Sequence, residues 1–146
     1  MIFLVILFFK VFTIGSGILL SRNKGTTMSS QFGNHMKELG NDGNYSTDLE
    51  KCAYTKIEEN SYWRVNLGKR HSIDYVLIYN FPSNEILGSN VELLNEKDEV
   101  ISTCGTISGS ESIIYITCAW AYAHKVQIRN PQMKNLILCE VEVYGV

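Results

Sequence analysis

Short runs in which apolar and polar residues alternate follow one another along most of the chain. In "YWRVNL" (62–67) the residues Trp63, Val65 and Leu67 share one side, whereas "IDYVLIY" (73–79) is apolar on both faces, as a central strand is. The other runs with strand-like patterning are 18–22, 26–32, 91–94, 99–103, 112–117, 125–129 and 136–145. Turn-forming residues separate the runs, at 66–68, 81–84, 108–110 and 130–131.

This pattern predicts an all-β protein. The one helical candidate is "NHMKELG" (34–40), a turn or two that ends at Gly40. Many short strands with turns between them are typical of a β-sandwich or jelly roll, and we expect about eight strands. A chain of 146 residues is long enough for one domain with a substantial core and too short for two.

The first seventeen residues have the composition of a secretory signal peptide. Residues 1–9 and 11–14 form an apolar segment, and the small residues 15–17 suit a cleavage site before Ile18. We therefore predict a signal peptide at 1–17 and a secreted domain at 18–146, with no membrane span after cleavage. The alternative is an uncleaved anchor helix, which needs roughly 20 apolar residues; Lys10 and Arg22 count against it.

Charge and composition exclude two classes of protein. The formal net charge is -2, with 13 basic and 15 acidic residues spread along the chain, so no basic stripe suited to nucleic acid is present. Two prolines and the absence of low-complexity tracts argue against a disordered protein.

The four cysteines, Cys52, Cys104, Cys118 and Cys139, are an even number in a chain predicted to be exported. They indicate two disulfides, for which three pairings are possible. No Cys-x-x-Cys and no histidine at ligand spacing occurs, so a zinc site is not expected.

No catalytic constellation is recognisable in the sequence. His35, His71 and His124 lie in unrelated segments without a nucleophile beside them. The strand glutamates Glu92, Glu140 and Glu142 could form a carboxylate pair, but a solvated strand face is the simpler interpretation. We therefore predict that the protein is not an enzyme.

The loop "NDGNYSTDLEKC" (41–52) is a candidate cation site. Asp42 offers a carboxylate, Gly43 lets the chain curl, and Asn44 offers a carbonyl, which are ligands that Ca2+ accepts. The same three residues also make an ordinary turn. A disulfide between Cys52 and Cys139 would bring Glu140 to this loop and add a second carboxylate.

Five segments resemble the F-type lectins, or fucolectins, in order and approximate spacing. They are "DGN", "CAYT", "NSYWRVNLG", "VLIYN" and "LCEVEVYG", and the resemblance extends over about residues 18–146. These lectins are secreted jelly-roll proteins, related to discoidin-like domains, that bind L-fucose. The resemblance implies that fold and the disulfides Cys52–Cys139 and Cys104–Cys118.

The resemblance also implies a calcium site. Side-chain ligands would be Asp42 and Glu140, and carbonyl ligands would come from Leu39, Asn44, Lys51 and Cys139. The loop from Asp42 to Cys52 is about two residues shorter than in the family, and Lys51 stands at a position where a serine is found. Asn44 also begins a glycosylation sequon, Asn-Tyr-Ser.

The fucose-binding residues of the family are not preserved. The family's histidine position is Tyr54, its first arginine position is Phe81, its aspartate position is Ser83, and its second arginine would fall near Leu87 or Gly88. Adjacent cysteines are absent, and the loop "NFPSNEILGSN" has no arginine or lysine. Fucose binding by the family mechanism is therefore not expected. Tyr54 and Phe81 could stack on another sugar face, or they could simply pack in a degenerate domain.

The predicted function is a secreted, calcium-stabilised carbohydrate-binding module with an altered or weakened fucose site. The alternative is a degenerate lectin scaffold that acts as a structural or protein-interaction domain without binding sugar. The resemblance implies a glycan partner, fucosylated glycans among the candidates, and assembly as a homo-trimer. Nucleic acid is not an expected partner.

Overall fold

Eight β-strands and two short 3-10 helices make up residues 17–146, the part of the chain that the computed structural model describes. The strands are β1 (Ile18–Leu19), β2 (Thr26–Met28), β3 (Ala53–Tyr54), β4 (Ser61–Asn80), β5 (Asn90–Leu94), β6 (Val100–Thr106), β7 (Ile113–Asn130) and β8 (Ile137–Gly145). The helices are η1 (Lys37–Gly40), where a helical turn was predicted, and η2 (Leu49–Lys51). Except for Gly17, the predicted signal peptide lies outside the described residues.

The strands form an antiparallel sheet that folds into an open jelly-roll sandwich, which confirms the predicted all-β class. The order is β1-β8-β4-β7-β5-β6, with β2 added to β4 and β3 added to β8. The segment 73–79, predicted as a central strand, lies in β4 between β7 and β8. Between Gly17 and Val146, neither helix is long and apolar enough to cross a membrane.

The alternating residues of β4 supply the centre of the core. Trp63, Val65 and Leu67 are almost wholly buried, as predicted from their position on one side of the strand. The Trp63 indole donates a hydrogen bond to the Lys37 carbonyl (2.9 Å), which satisfies its one polar atom and holds η1 on β4. Gly40 makes this approach possible, because a Cβ there would lie 2.6 Å from the indole nitrogen.

Two pairs of predicted strands are single long strands, so the strand break predicted at 66–68 is not present. The segments 62–67 and 73–79 both belong to β4, and 112–117 and 125–129 both belong to β7. The pairing of β4 with β7 shifts register between Asn66 and His71. A second shift, between Ile73 and Tyr75, lies opposite residues 118–120 of β7, where Ala119 and Trp120 have positive φ angles of 50° and 65°. β4 carries extra residues at the first shift and β7 at the second, and the two strands pair on both sides of each shift.

The prediction that the strand glutamates lie on solvated faces is also wrong. Glu92, Glu140 and Glu142 are exposed by only 4%, 1% and 3%. Glu92 on β5 pairs with Arg129 on β7 (2.8 Å) and accepts a hydrogen bond from Gln127 (3.0 Å). These contacts compensate for the burial of the Glu92 carboxylate.

Candidate cation and glycan sites

The Cys52–Cys139 disulfide joins the end of the 41–52 loop to β8. Its two Cα atoms are 3.9 Å apart, and both cysteines are completely buried. The Cys104–Cys118 bridge is also present, so the predicted pairing is confirmed. Tyr79 of β4 faces Glu140 and Asn80 faces Leu138, so Cys139 is the extra residue of a β-bulge. A bulged residue stands outside the regular ladder, which leaves its carbonyl available to other partners.

Glu140 is a buried carboxylate with one unsatisfied oxygen. The Gly43 backbone amide donates a hydrogen bond to the carboxylate, but its Oε2 atom has no partner among the described residues. Burial, together with the nearby charges of Asp42 and Glu142, raises the pKa of Glu140 to about 8, against the lowering effects of Gly43 and Arg22. An ionised Glu140 at this position would be stabilised by a cation.

The other predicted metal residues lie around the same loop. Asp42 is exposed, and its Oδ1 atom accepts a hydrogen bond from the Asn44 amide (2.9 Å) across Gly43, whose φ is +83°. Asn44 is exposed as well, and its side chain accepts a hydrogen bond from the Ser46 amide (2.9 Å). Leu39 lies in η1 and Lys51 ends η2, at the two approaches to the loop.

The donor types present fit a calcium ion. The structure brings Asp42 near Glu140, whose unsatisfied oxygen is a hard ligand of the type that calcium prefers. Residues 17–146 contain no group of three or more histidine, cysteine, aspartate or glutamate side chains that could hold a metal ion. A calcium site here would therefore depend on these two carboxylates and on backbone carbonyls.

Arg22 and Tyr45 are site residues that the sequence reasoning missed. The Arg22 guanidinium and the Tyr45 hydroxyl both donate to Glu142, each at 2.9 Å, and they also contact each other. Glu142 is thereby satisfied, while its neighbour Glu140 is not. Nothing in the local sequence links these three residues, because Arg22 and Glu142 lie near opposite ends of the domain.

Two of the three predicted sugar-binding residues are brought together. Tyr54 and Phe81 are partly buried and pack on one apolar cluster formed by Ile137 and the Cys52–Cys139 disulfide. Leu87 is outside this cluster, and its carbonyl accepts a hydrogen bond from the Asn130 side chain (3.3 Å).

Tyr54 also borders a cavity of about 300 Å³. The residues that line it are Phe32, Tyr54, Thr55, Lys56, Ile57 and Asn135. The Phe32 and Tyr54 rings are 4.8 Å apart, and the Tyr54 hydroxyl accepts a hydrogen bond from Asn135 (2.7 Å). Residues 55–57 adjoin Tyr54 in sequence and could have been noticed, but no sequence signal pointed to Phe32 or Asn135.

The sequence itself matches no known family profile, and it matches no curated protein with significant similarity. The structure, in contrast, matches many solved structures. The lectin domain of lectinolysin, complexed with Lewis b antigen, is 25% identical with a TM-score of 0.82, over 87% of this chain and 96% of that one. A Streptococcus pneumoniae fucose binding module, SpX-3, is 24% identical with a TM-score of 0.81, over 88% and 98% of the two chains.

A fucolectin from striped bass (Morone saxatilis) serum is 25% identical with a TM-score of 0.76. The match covers 88% of this chain and 47% of that one. The chain therefore has the fold of carbohydrate-binding lectin modules of the discoidin-like class. Its structural neighbours include fucose-binding lectin modules, which confirms the resemblance to the F-type lectins.

Proposed function

We propose that the protein is a secreted carbohydrate-binding module, stabilised by calcium, whose sugar site differs from that of the fucose-binding lectins. The observation that carries this proposal is the match over nearly nine-tenths of the chain to lectin modules whose names state fucose or Lewis b binding. The structural neighbours reported above are lectins and binding modules, which supports a role in binding and not in catalysis.

The loop residues support altered specificity. Loop 81–88 has no arginine or lysine, and Phe81 takes the place of the first arginine. The Tyr54 hydroxyl already accepts a hydrogen bond from Asn135. Each lost hydrogen bond to a ligand hydroxyl costs about 1–3 kcal/mol, so a sugar must gain affinity here from contact with aromatic rings.

Calcium would be held by the side chains of Asp42 and Glu140 and by carbonyls of the loop and of Cys139. When bound, the ion would neutralise the two acids. Without calcium, the loop is already connected to β8 by the Cys52–Cys139 disulfide and by the hydrogen bond from Gly43 to Glu140. A ligand that binds only the folded state stabilises it by mass action, by about 2.7 kcal/mol at a hundred times its Kd.

Thermal unfolding with 5 mM calcium and with EDTA tests the calcium proposal. Calcium should raise the Tm of the natural protein and leave the Tm of Glu140→Gln unchanged. Glu50→Gln is the matched control, since Glu50 is an exposed acid of the same loop, and it should respond to calcium as the natural protein does. An equal response of all three proteins would mean that calcium acts elsewhere.

Secretion is supported by the two disulfides, since such bridges persist in oxidising compartments. Asn44 is exposed and could carry a glycan if the chain passes through a secretory pathway that glycosylates it. Mass spectrometry of the secreted product would give both its first residue and the occupancy of Asn44. Sedimentation of the same material would test the homo-trimer that the fucolectin resemblance implies.

A glycan array, run with calcium and with EDTA, tests sugar binding directly. A calcium-dependent signal on a defined set of glycans supports the proposed function. The absence of cationic residues from loop 81–88 favours a second candidate, a scaffold that binds protein and not sugar. A folded protein that gives no signal on the array would support that candidate.

A further inference from the structure

We propose that the cavity beside Tyr54 is a binding pocket for one neutral pyranose ring, so that the sugar lies between Phe32 and Ile57 and not against loop 81–88. This inference rests on the proposed carbohydrate-binding function and makes it specific. The cavity of about 300 Å³ has room for a single sugar ring, and none of its lining residues belongs to loop 81–88.

The pocket has the apolar walls that a pyranose ring requires. Phe32 is 51% exposed and Ile57 is 68% exposed, so both present apolar surface at the pocket that they line. Phe32 is held in place because its backbone amide donates to the Tyr54 carbonyl (2.8 Å) and its ring packs on the Tyr54 ring at a tilt of 36°. The exposed ring is therefore fixed before a ligand arrives, which lowers the entropic cost of binding.

Asn135, one of the residues that line the pocket, has an unsatisfied hydrogen-bond acceptor. Asn135 is only 8% exposed, its amide nitrogen donates to Tyr54, and its Oδ1 atom has no partner among the described residues. Buried polar atoms without a partner are rare, and a ligand hydroxyl is a suitable donor to this one. The Thr55 hydroxyl is already used, since it accepts from the Leu136 amide (2.8 Å) and donates to the Lys56 carbonyl (3.0 Å).

Lys56 supplies the remaining polar group. Its side chain is exposed at the rim of the pocket, and the ion pairs formed within residues 17–146 do not include it. An ammonium group can donate hydrogen bonds to sugar hydroxyls. The pocket thus offers an aromatic face, one buried acceptor and one cationic donor, which is a suitable set for a neutral sugar.

The test compares substitutions in the pocket, at Phe32 and Ile57, with a substitution in loop 81–88, at Phe81. Binding of L-fucose, D-galactose and Lewis b oligosaccharide would be measured by NMR titration for the natural protein, Phe32→Ala, Ile57→Ser and Phe81→Ala. At least one of these sugars should bind, and the Kd for it should rise at least tenfold in Phe32→Ala and severalfold in Ile57→Ser. Phe81→Ala should leave the Kd within twofold, and the shifted amides should include residues 55–57.

The outcomes separate the pocket from the general function. Binding that is lost in Phe81→Ala and kept in Phe32→Ala would overturn the pocket while leaving the protein a lectin. If the natural protein binds none of the three sugars, both the pocket and the proposed function are overturned for these ligands. Because Ile57 is largely exposed, Ile57→Ser keeps the test valid if Phe32→Ala does not fold.

Discussion

Removing the Cys52–Cys139 disulfide should destabilise the domain more than removing Cys104–Cys118, because it closes a much longer loop. The paired cysteines are 87 positions apart in the first bridge and 14 in the second. In the chain-entropy account of disulfides these separations correspond to ~4.5 and ~3 kcal/mol. The free energies of unfolding of the two double-alanine variants should therefore differ by about 1.5 kcal/mol.

The packing of the two bridges acts in the same direction. Cys52 and Cys139 are completely buried against Ile137, whereas Cys104 is only partly buried. Replacing the first pair with alanine therefore also removes buried contacts, and the difference of about 1.5 kcal/mol is a lower expectation. Guanidinium unfolding in EDTA, followed by circular dichroism, would give both free energies by linear extrapolation without a contribution from calcium.

The relative stability of the two double-alanine variants tests whether loop length governs the stabilisation. If Cys52→Ala/Cys139→Ala is as stable as Cys104→Ala/Cys118→Ala, or more stable, loop length does not govern the stabilisation and the reasoning fails. A changed slope of the free energy with denaturant in one variant would have to be examined first, because it indicates a different denatured state.

Three further predictions follow from buried contacts. Gly40→Ala should lower the free energy of unfolding by about 1–3 kcal/mol in guanidinium titrations, because the added methyl group collides with the Trp63 indole. Gly25→Ala is the control, because a methyl group there would meet no other atom. In EDTA, the free energy of unfolding should fall as the pH rises from 4.5 through about 8, because Glu140 holds a proton in the folded protein that it releases in the unfolded chain. Glu140→Gln should reduce this dependence of the free energy of unfolding on pH. Arg129→Met should cost about 2–3 kcal/mol by leaving Glu92 buried without its cation, and Glu92→Met in the same chain should recover much of that loss. A single variant as stable as the double variant would contradict the last expectation.

The positions of the strands could be predicted because alternation is a local property. Every second residue of a half-buried strand faces the core, and β4 displays that pattern, whereas β5 and β8 are buried along almost their whole length. The length of a strand, in contrast, also depends on its pairing with neighbouring strands. Residues 66–68 have turn chemistry, yet β4 continues beyond them, because β7 pairs with β4 on both sides of the register shift between Asn66 and His71.

The candidate sites could be predicted only in part, because they are formed by segments that are distant in the sequence. The period of two places Glu140 and Glu142 on one face, but it does not reveal that the 41–52 loop and Tyr45 cover that face. The disulfide pairing that the lectin resemblance implies was enough to connect Asp42 with Glu140. The pocket beside Tyr54 was not predictable, because its acceptor Asn135 and its wall Phe32 come from segments that meet only in the folded chain.

The Cys104–Cys118 bridge has a consequence for solubility. Strand β6 stands at the end of the strand order, so one side of its backbone has no partner strand within residues 17–146. Its Val100 and Ile101 residues are about half exposed (48% and 53%). Such edges can pair with edges of other molecules and start aggregates. Because the bridge ties β6 to β7, the edge cannot swing away from the sandwich. Reduction would free it, so turbidity should develop in reduced samples at concentrations where oxidised samples stay clear.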